Sequence, residues 1–369
     1  MSFDIALSGI NAINKSLETI SQNISNSETN GYKSGRTHFA SAMAETQPAG
    51  VKVSGTRYSV EANGSLRSSG DRLHQAIQGG GFFILKETNG QRVYSRVGDF
   101  QIDKDSKLVD GSNRSVQGFA QGQANVSDVK IDKSPVGALP STAINVSGRL
   151  PDPLPAAPAR VGEISVTFRD ASGELAVRNL RFEMVAGAPG TVQVSEIDGP
   201  NAPVILGTLD PATMQWTRGG APSTLPDLDF SGMNFQRGAF SATATEVGGR
   251  EAGEFVRARI DKDGSVVAEY SNGTSNTQYQ LALGEFANVG GLVPVDGTVW
   301  RETGDSGVAQ LRRPGEGATG VLVSGSLEGS NVNVTDELVS LMSAQRNYQA
   351  NTKVISTQNE MMRNLMQSI

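Results

Sequence analysis

Only two imidazoles occur in this chain of 369 residues, His38 and His74. Neither stands near a serine or aspartate in a recognisable nucleophile context, so a catalytic triad has no anchor. Both read as surface or turn histidines. Cysteine is absent, which removes disulfides, thiolate metal sites and cysteine nucleophiles. Asp261-Lys262-Asp263-Gly264-Ser265 imitates the front of a calcium loop, but Asn272 stands where the closing acidic ligand is needed. That stretch reads as a hairpin turn, and so does Asp103-Lys104-Asp105. Gly79-Gly80-Gly81 lacks the Lys and Ser/Thr of a phosphate loop, and Phe82-Phe83 opens a strand where a phosphate cradle needs a helix N-terminus. Nothing fixes the spacing of a carboxylate pair for glycoside hydrolysis. The residues point to no enzyme, no cofactor and no metal site.

The composition agrees with a structural role. Glycine is abundant, at 43 residues, and aromatics make up only 6%, a combination that fits many tight turns between strands. The net charge of −6 and the lack of clustered Lys and Arg argue against nucleic-acid binding. The length calls for two to four domains. No run approaches the roughly 18 apolar residues of a membrane span. Met1-Ser2-Phe3-Asp4 places an acid where a secretory leader carries basic residues, and the first lysine is Lys15. Any export is therefore expected without a cleaved signal peptide.

The elements with a clear purpose are the two ends. Apolar residues recur in steps of three and four at Phe3, Leu7, Ile10, Ile13, Leu17, Ile20 and Ile24. Val334, Leu338, Leu341, Tyr348, Ile355, Met362 and Ile369 keep the same cadence, with Gln345, Thr352 and Asn359 as polar members. Each pattern predicts a helix with one narrow stripe that needs a partner helix. The first should start at Ser2 and stop near Asn30-Gly31; the last should run from about Asn333 to the final residue. The polar side of the last helix is rich in amides, including Asn347, Gln349, Asn351 and Gln358, which fits a water-filled lumen or a neighbouring subunit. Phe3, Leu7, Ile10, Ile13, Leu17, Ile20 and Ile24, with Val334, Leu338, Leu341, Tyr348, Ile355 and Met362, form the expected polymer interface.

Between the ends the chain reads as strand and turn. Asn89-Gly90 between Phe82–Leu85 and Val93–Val97 is a hairpin signal. A second hairpin is expected at Lys262-Asp263-Gly264. Ile164/Val166/Phe168 and Leu180/Phe182/Met184 alternate as half-buried antiparallel strands do. Pro151–Pro158 reads as a stiff inter-domain connection. The expected fold is mostly β with long terminal α-helices in a nested, multidomain chain. Residues 1–31 and 330–369 form a terminal helical domain with coiled-coil-like pairing, and 32–72 an extended connector. Residues 73–140 with 250–329 form a β-rich middle domain, and 141–249 an inserted β-rich domain.

Ser8-Gly9-Ile10-Asn11-Ala12, Ile20–Asn26 and Thr29-Asn30-Gly31-Tyr32-Lys33-Ser34 resemble the N-terminus of bacterial flagellar rod and hook proteins. Gly325–Val334, Glu337-Leu338-Val339 and Ala344–Asn351 resemble the C-terminal region of the same family. Gly81-Phe82-Phe83, Tyr94–Phe100, Gly264–Gly273, Leu281-Ala282-Leu283 and Glu302–Gly307 resemble hook-type motifs within it. The likeness covers about Met1–Phe119 and Glu251–Ile369. It departs at Leu73-His74, where relatives often carry Asp, which puts any salt bridge there in doubt.

The resemblance implies a helical homopolymer, a curved flexible tube that links the basal-body rod to the filament and transmits torque. The same resemblance makes residues 1–31 with 330–369 an inner tube and 141–249 an outer layer. It implies export through the flagellar type III apparatus. It also implies partnership with the distal rod protein, the hook cap and the hook–filament junction proteins, with no nucleic acid and no membrane insertion. The competing readings are a distal-rod or junction protein, or a secreted β-rich adhesin. An adhesin has no need of two terminal heptad stripes.

Overall fold

The computed structural model describes residues 2–44, 47–184, 190–197, 202–219 and 223–367. It is mostly β, with one long helix near each end: α1 over Ser2–Ser25 and α2 over Val334–Gln367. Ile369, the last member of the expected stripe, lies outside the described residues, as does the Phe3 side chain.

The regular part of α1 ends earlier than the expected stop at Asn30-Gly31. Asn26 Nδ2 donates to the Gln22 carbonyl at 2.9 Å and Ser27 Oγ to the Ile24 carbonyl at 2.8 Å. These short polar side chains compete with the next backbone donors and end the helix in turns. Gly31, with φ of 68°, then turns the chain away.

Residues expected as an extended connector contain a long antiparallel hairpin, β1 (Gly35–Ala44) and β2 (Gln47–Tyr58). It lies along α1, where Thr19 and Thr37 share a 2.8 Å hydroxyl hydrogen bond. Ser8 Oγ accepts from the Val51 amide at 3.1 Å. Gly50 passes so close to Ser8 that a Cβ would fall 2.2 Å from its hydroxyl.

The chain divides into two compact units. The first holds residues 1–132, 257–268 and 275–369. Its sheet runs through Ser275–Leu281, Ser115–Ala120, Phe82–Lys86, Arg92–Ser95, Val299–Arg301 and Val293–Asp296 in that order. The Asn89-Gly90 hairpin forms as expected, with Gly90 at φ 86° and Ile84 opposite Tyr94. Phe82, Tyr94 and Phe286 meet edge to face, the Tyr94 and Phe286 centroids 4.7 Å apart. Two short pairings then bring the C-terminal arm back: Val321–Ser324 beside Gln75–Gln78, and Ser326–Glu328 beside Leu66–Ser68.

The second unit holds residues 133–256 and 269–274. A five-stranded antiparallel sheet starting with Ala159–Arg169 and Leu175–Met184 packs its Val166, Phe168, Leu180 and Phe182 against Ile144, Val146 and Phe230 of a three-stranded sheet. The alternation in these strands was legible in the sequence. The proline-rich stretch 151–158 corrects an expectation: it lies inside this unit, joining Ala143–Pro151 to Ala159–Arg169. Because both strands feed one core, the prolines stiffen a turn between sheets and do not separate domains.

Candidate assembly interface

The two helices run antiparallel. Asn23 Nδ2 donates to Glu337 Oε1 at 2.9 Å near the base of the pair. Two turns from the start of α1, a Cβ on Gly9 would fall 3.0 Å from Asn351 Nδ2. These two contacts set a register in which Ser2 comes level with about Gln358. The last residues of α2, from about Asn359, therefore extend past α1 by roughly 13 Å at 1.5 Å per residue.

The expected interface residues divide by exposure. On α1, Ile20 is buried, Ile10, Ile13, Leu17 and Ile24 are half-buried, and Leu7 is exposed. Apart from Ile20, the buried residues of α1 among those described are small or polar: Ala6, Ala12, Thr19 and Asn23. On α2, Leu341 and Ile355 are half-buried, while Val334, Leu338, Tyr348 and Met362 are exposed. Ala344 is the buried apolar residue of α2 among those described. Leu338 is 46% exposed, Met362 59% and Met366 72%. Helix α1 has the hairpin and α2 to cover it, whereas α2 packs chiefly on α1. Large apolar side chains along the whole of α2, from Val334 to Met366, are 37–72% exposed, which a single folded chain seldom tolerates over so long an element.

The roots of both helices are fixed by buried polar contacts. Asn23 Oδ1 accepts from the Gly35 amide at 2.9 Å and from the Tyr32 hydroxyl at 3.2 Å, and its Nδ2 donates to the Gly35 carbonyl at 2.8 Å. Burial, with Tyr58 and Glu337 nearby, pushes the Tyr32 phenol up to about 12. Asn331, just before α2, accepts from the Ser34 amide at 2.7 Å and donates to the carbonyls of Ser59 and Ala62 at 2.9 and 3.0 Å. Beneath them Lys33 and Arg96 grip Glu328, at 2.7 and 2.9 Å, with all three side chains almost wholly buried. Burial pushes both cations down from their ordinary values, and the Glu328 carboxylate opposes that shift.

These residues were singled out in the sequence as parts of motifs, but their contact was not foreseen. The signal was present in type: a Lys, an Arg and a Glu inside otherwise apolar or glycine-rich stretches. The triple glycine has a role here too. The carbonyls of Gly79 and Gly81 accept from the Arg96 guanidinium at 2.9 and 2.6 Å, and the same glycines let the 318–320 segment pass close, since a Cβ on Gly80 would lie 2.7 Å from the Ala318 carbonyl oxygen.

The residues first weighed for chemistry are placed in turns and surfaces. His38 is exposed on β1 and His74 is half-buried. Asp263 accepts from the Ser265 amide and hydroxyl, at 3.0 and 2.8 Å, and Asp261 pairs with Arg259. Among the described residues no helix is long and apolar enough to cross a membrane.

Comparison with known proteins decides the family. Residues 76–148 match the family described as "Flagellar hook protein FlgE/F/G D1 domain". Residues 323–368 match "Flagellar basal body rod FlgEFG protein C-terminal". The flagellar hook protein FlgE of Salmonella typhimurium strain LT2 is 33% identical over 401 residues, covering 99% of each chain. The chain belongs to the flagellar hook protein family. The hook protein of Escherichia coli K12 is 32% identical over 99% of each chain, and that of Rhizobium meliloti 28% over 96%. A crystal structure of Helicobacter pylori flagellar hook protein FlgE2 covers 69% of this chain and 98% of that one, with a TM-score of 0.44 and 13% identity. The hook-family chain is thus a structural subunit of the bacterial flagellum, serving motility.

Proposed function

We propose that this subunit polymerises through its terminal helices into a hollow, curved tube, with α1 and α2 as the inner wall. The observation that carries this reading is the length of α2, whose Val334, Leu338, Tyr348 and Met362 are exposed in the single chain. Full burial of an exposed side chain of this size is worth about 1.5–3 kcal/mol, and these are 37–59% exposed, so covering what remains gives roughly half that for each and drives assembly in sum. Phe3, Leu7, Ile10, Ile13, Leu17, Ile20, Ile24, Leu341 and Ile355 belong to the same interface.

In this reading the chain is nested. Residues 1–31 with 330–369 form the tube wall, 73–140 with 250–329 a middle layer, and 141–249 an outer layer whose contacts slide as the tube bends. The tube then acts as a universal joint between rod and filament, meeting the distal rod protein, the hook cap and the junction proteins at its ends. The subunit reaches that place unfolded through the flagellar type III apparatus.

Electron microscopy of the purified protein under assembly conditions tests the reading. Curved hollow tubes are expected, and removal of the outer layer, residues 141–249, should straighten them before it dissolves them. A monodisperse particle that never forms tubes would refute it.

A further inference from the structure

We propose that Glu328 is the closing piece of a two-cation lock, so that the first compact unit cannot seat the roots of its helices until the C-terminal arm arrives.

Lys33 and Glu328 are 0% exposed in their side chains, and Arg96 is 2% exposed. Glu328 Oε1 takes Lys33 Nζ at 2.7 Å and the Gly64 amide at 3.0 Å, while Oε2 takes Arg96 Nε at 2.9 Å. Among the described residues every other acceptor of the two cations is neutral: the carbonyls of Ala62, Gly79 and Gly81, and the Asn63 side chain. Glu61 lines the cleft beside Arg96 and Asn63, but it is exposed and solvated. Two buried positive charges therefore share one buried carboxylate.

That imbalance makes the lock directional. Lys33 and Arg96 lie in the first third of the chain, and Glu328 follows them by 295 and 232 residues. Without Glu328, bringing Lys33 and Arg96 together buries two like charges, a cost of several kcal/mol per ion. The N-terminal arm, the 61–64 loop and the strand ending at Ser95 thus have no reason to close around one another early. Glu328 brings its backbone as well, since its carbonyl accepts from the Gly31 amide at 2.7 Å and its strand pairs with Leu66–Ser68. One residue seats the turn after α1 and the arm before α2 together. The two helix roots are coupled through it, and the second compact unit is not.

A plain stabilising salt bridge would lose similar stability whichever partner is removed. The lock predicts asymmetry and rescue. Lys33→Met leaves Arg96 and Glu328 as a neutral pair, whereas Glu328→Gln leaves two cations facing each other. Hydrogen exchange on the full-length monomer reads the difference. Glu328→Gln should lower amide protection about a hundredfold or more in residues 26–44 and 326–337, by the scale of a broken buried pair. Protection in residues 143–184 should stay unchanged. Lys33→Met should cost far less, and the Lys33→Met/Glu328→Gln double variant, which still buries Arg96 but no longer sets a second cation beside it, should regain a clear part of the protection lost in Glu328→Gln. Because the readout is recovery, it holds even if Glu328→Gln alone leaves the first unit unfolded. The lock is overturned if Lys33→Met costs as much as Glu328→Gln, or if the double variant is no better than Glu328→Gln.

Discussion

Asn23 on α1 and Glu337 on α2 meet through a 2.9 Å hydrogen bond, and the same asparagine holds both backbone groups of Gly35. One side chain thus joins the two ends of the chain to the first residue of the hairpin. Replacing Asn23 by Ala leaves the buried Gly35 amide and carbonyl, and the Tyr32 hydroxyl, without this partner. Each costs about 1–3 kcal/mol when unpaired, so a loss of at least about 3 kcal/mol is expected by urea denaturation. Asn23→Asp should be no better, because it sets a second carboxylate against Glu337.

Leu338→Asp and Leu17→Asp should separate assembly from folding. Leu338 is exposed in the single chain, so its replacement should change monomer stability by no more than about 0.5 kcal/mol while abolishing tube formation. Leu17 is half-buried on α1, and its replacement should weaken the helix pair as well as the polymer. Sedimentation and thermal melting of each variant, compared with the wild type, check both parts.

Gly9 permits the close approach of α2 at Asn351. Gly9→Ala should be tolerated, since the atom it meets is the tip of a flexible side chain and alanine gains about 1 kcal/mol of helix propensity over glycine. Gly9→Leu should push the helices apart. Far-UV circular dichroism should show an unchanged or higher melting temperature for the first and an earlier loss of helix for the second.

Asp99 gives a pH test. Burial first, and then the neighbouring Asp110 carboxylate, holds the Asp99 carboxyl above its ordinary range. Its ionisation therefore costs folded-state stability, a cost absent below the unfolded pKa of about 3.9 and complete above the raised folded value. Asp99→Asn should stabilise the protein at neutral pH, and the gain should vanish as pH falls below that carboxylate range. Denaturant midpoints across the acid range provide the measurement.

Much of this architecture was legible because local rules govern it. The Asn89-Gly90 and Lys262-Asp263-Gly264 turns need positive φ, which Gly90 and Gly264 adopt. The alternation at Ile164, Val166 and Phe168 follows from one buried sheet face. Helix contacts were less legible, because a count of large apolar residues misses Ala6, Ala12 and Thr19, whose small size lets neighbours approach. The hairpin along α1 was hidden by the Ser, Gly and Thr that serve it as close contacts. The Lys33, Arg96 and Glu328 cluster was hidden by distance along the chain, since nothing local in a sequence tells a buried cation where its carboxylate will come from.

The central claim is that the open face and overhang of α2 are covered by other copies of the subunit. Methionine oxidation by dilute peroxide measures this directly, because reaction follows exposure of the thioether. Met342, Met361, Met362 and Met366 are 52, 58, 59 and 72% exposed in the single chain. All four should oxidise readily in the monomer, and most should become resistant in the assembled polymer. Equal reactivity of these four methionines in monomer and polymer would contradict the account.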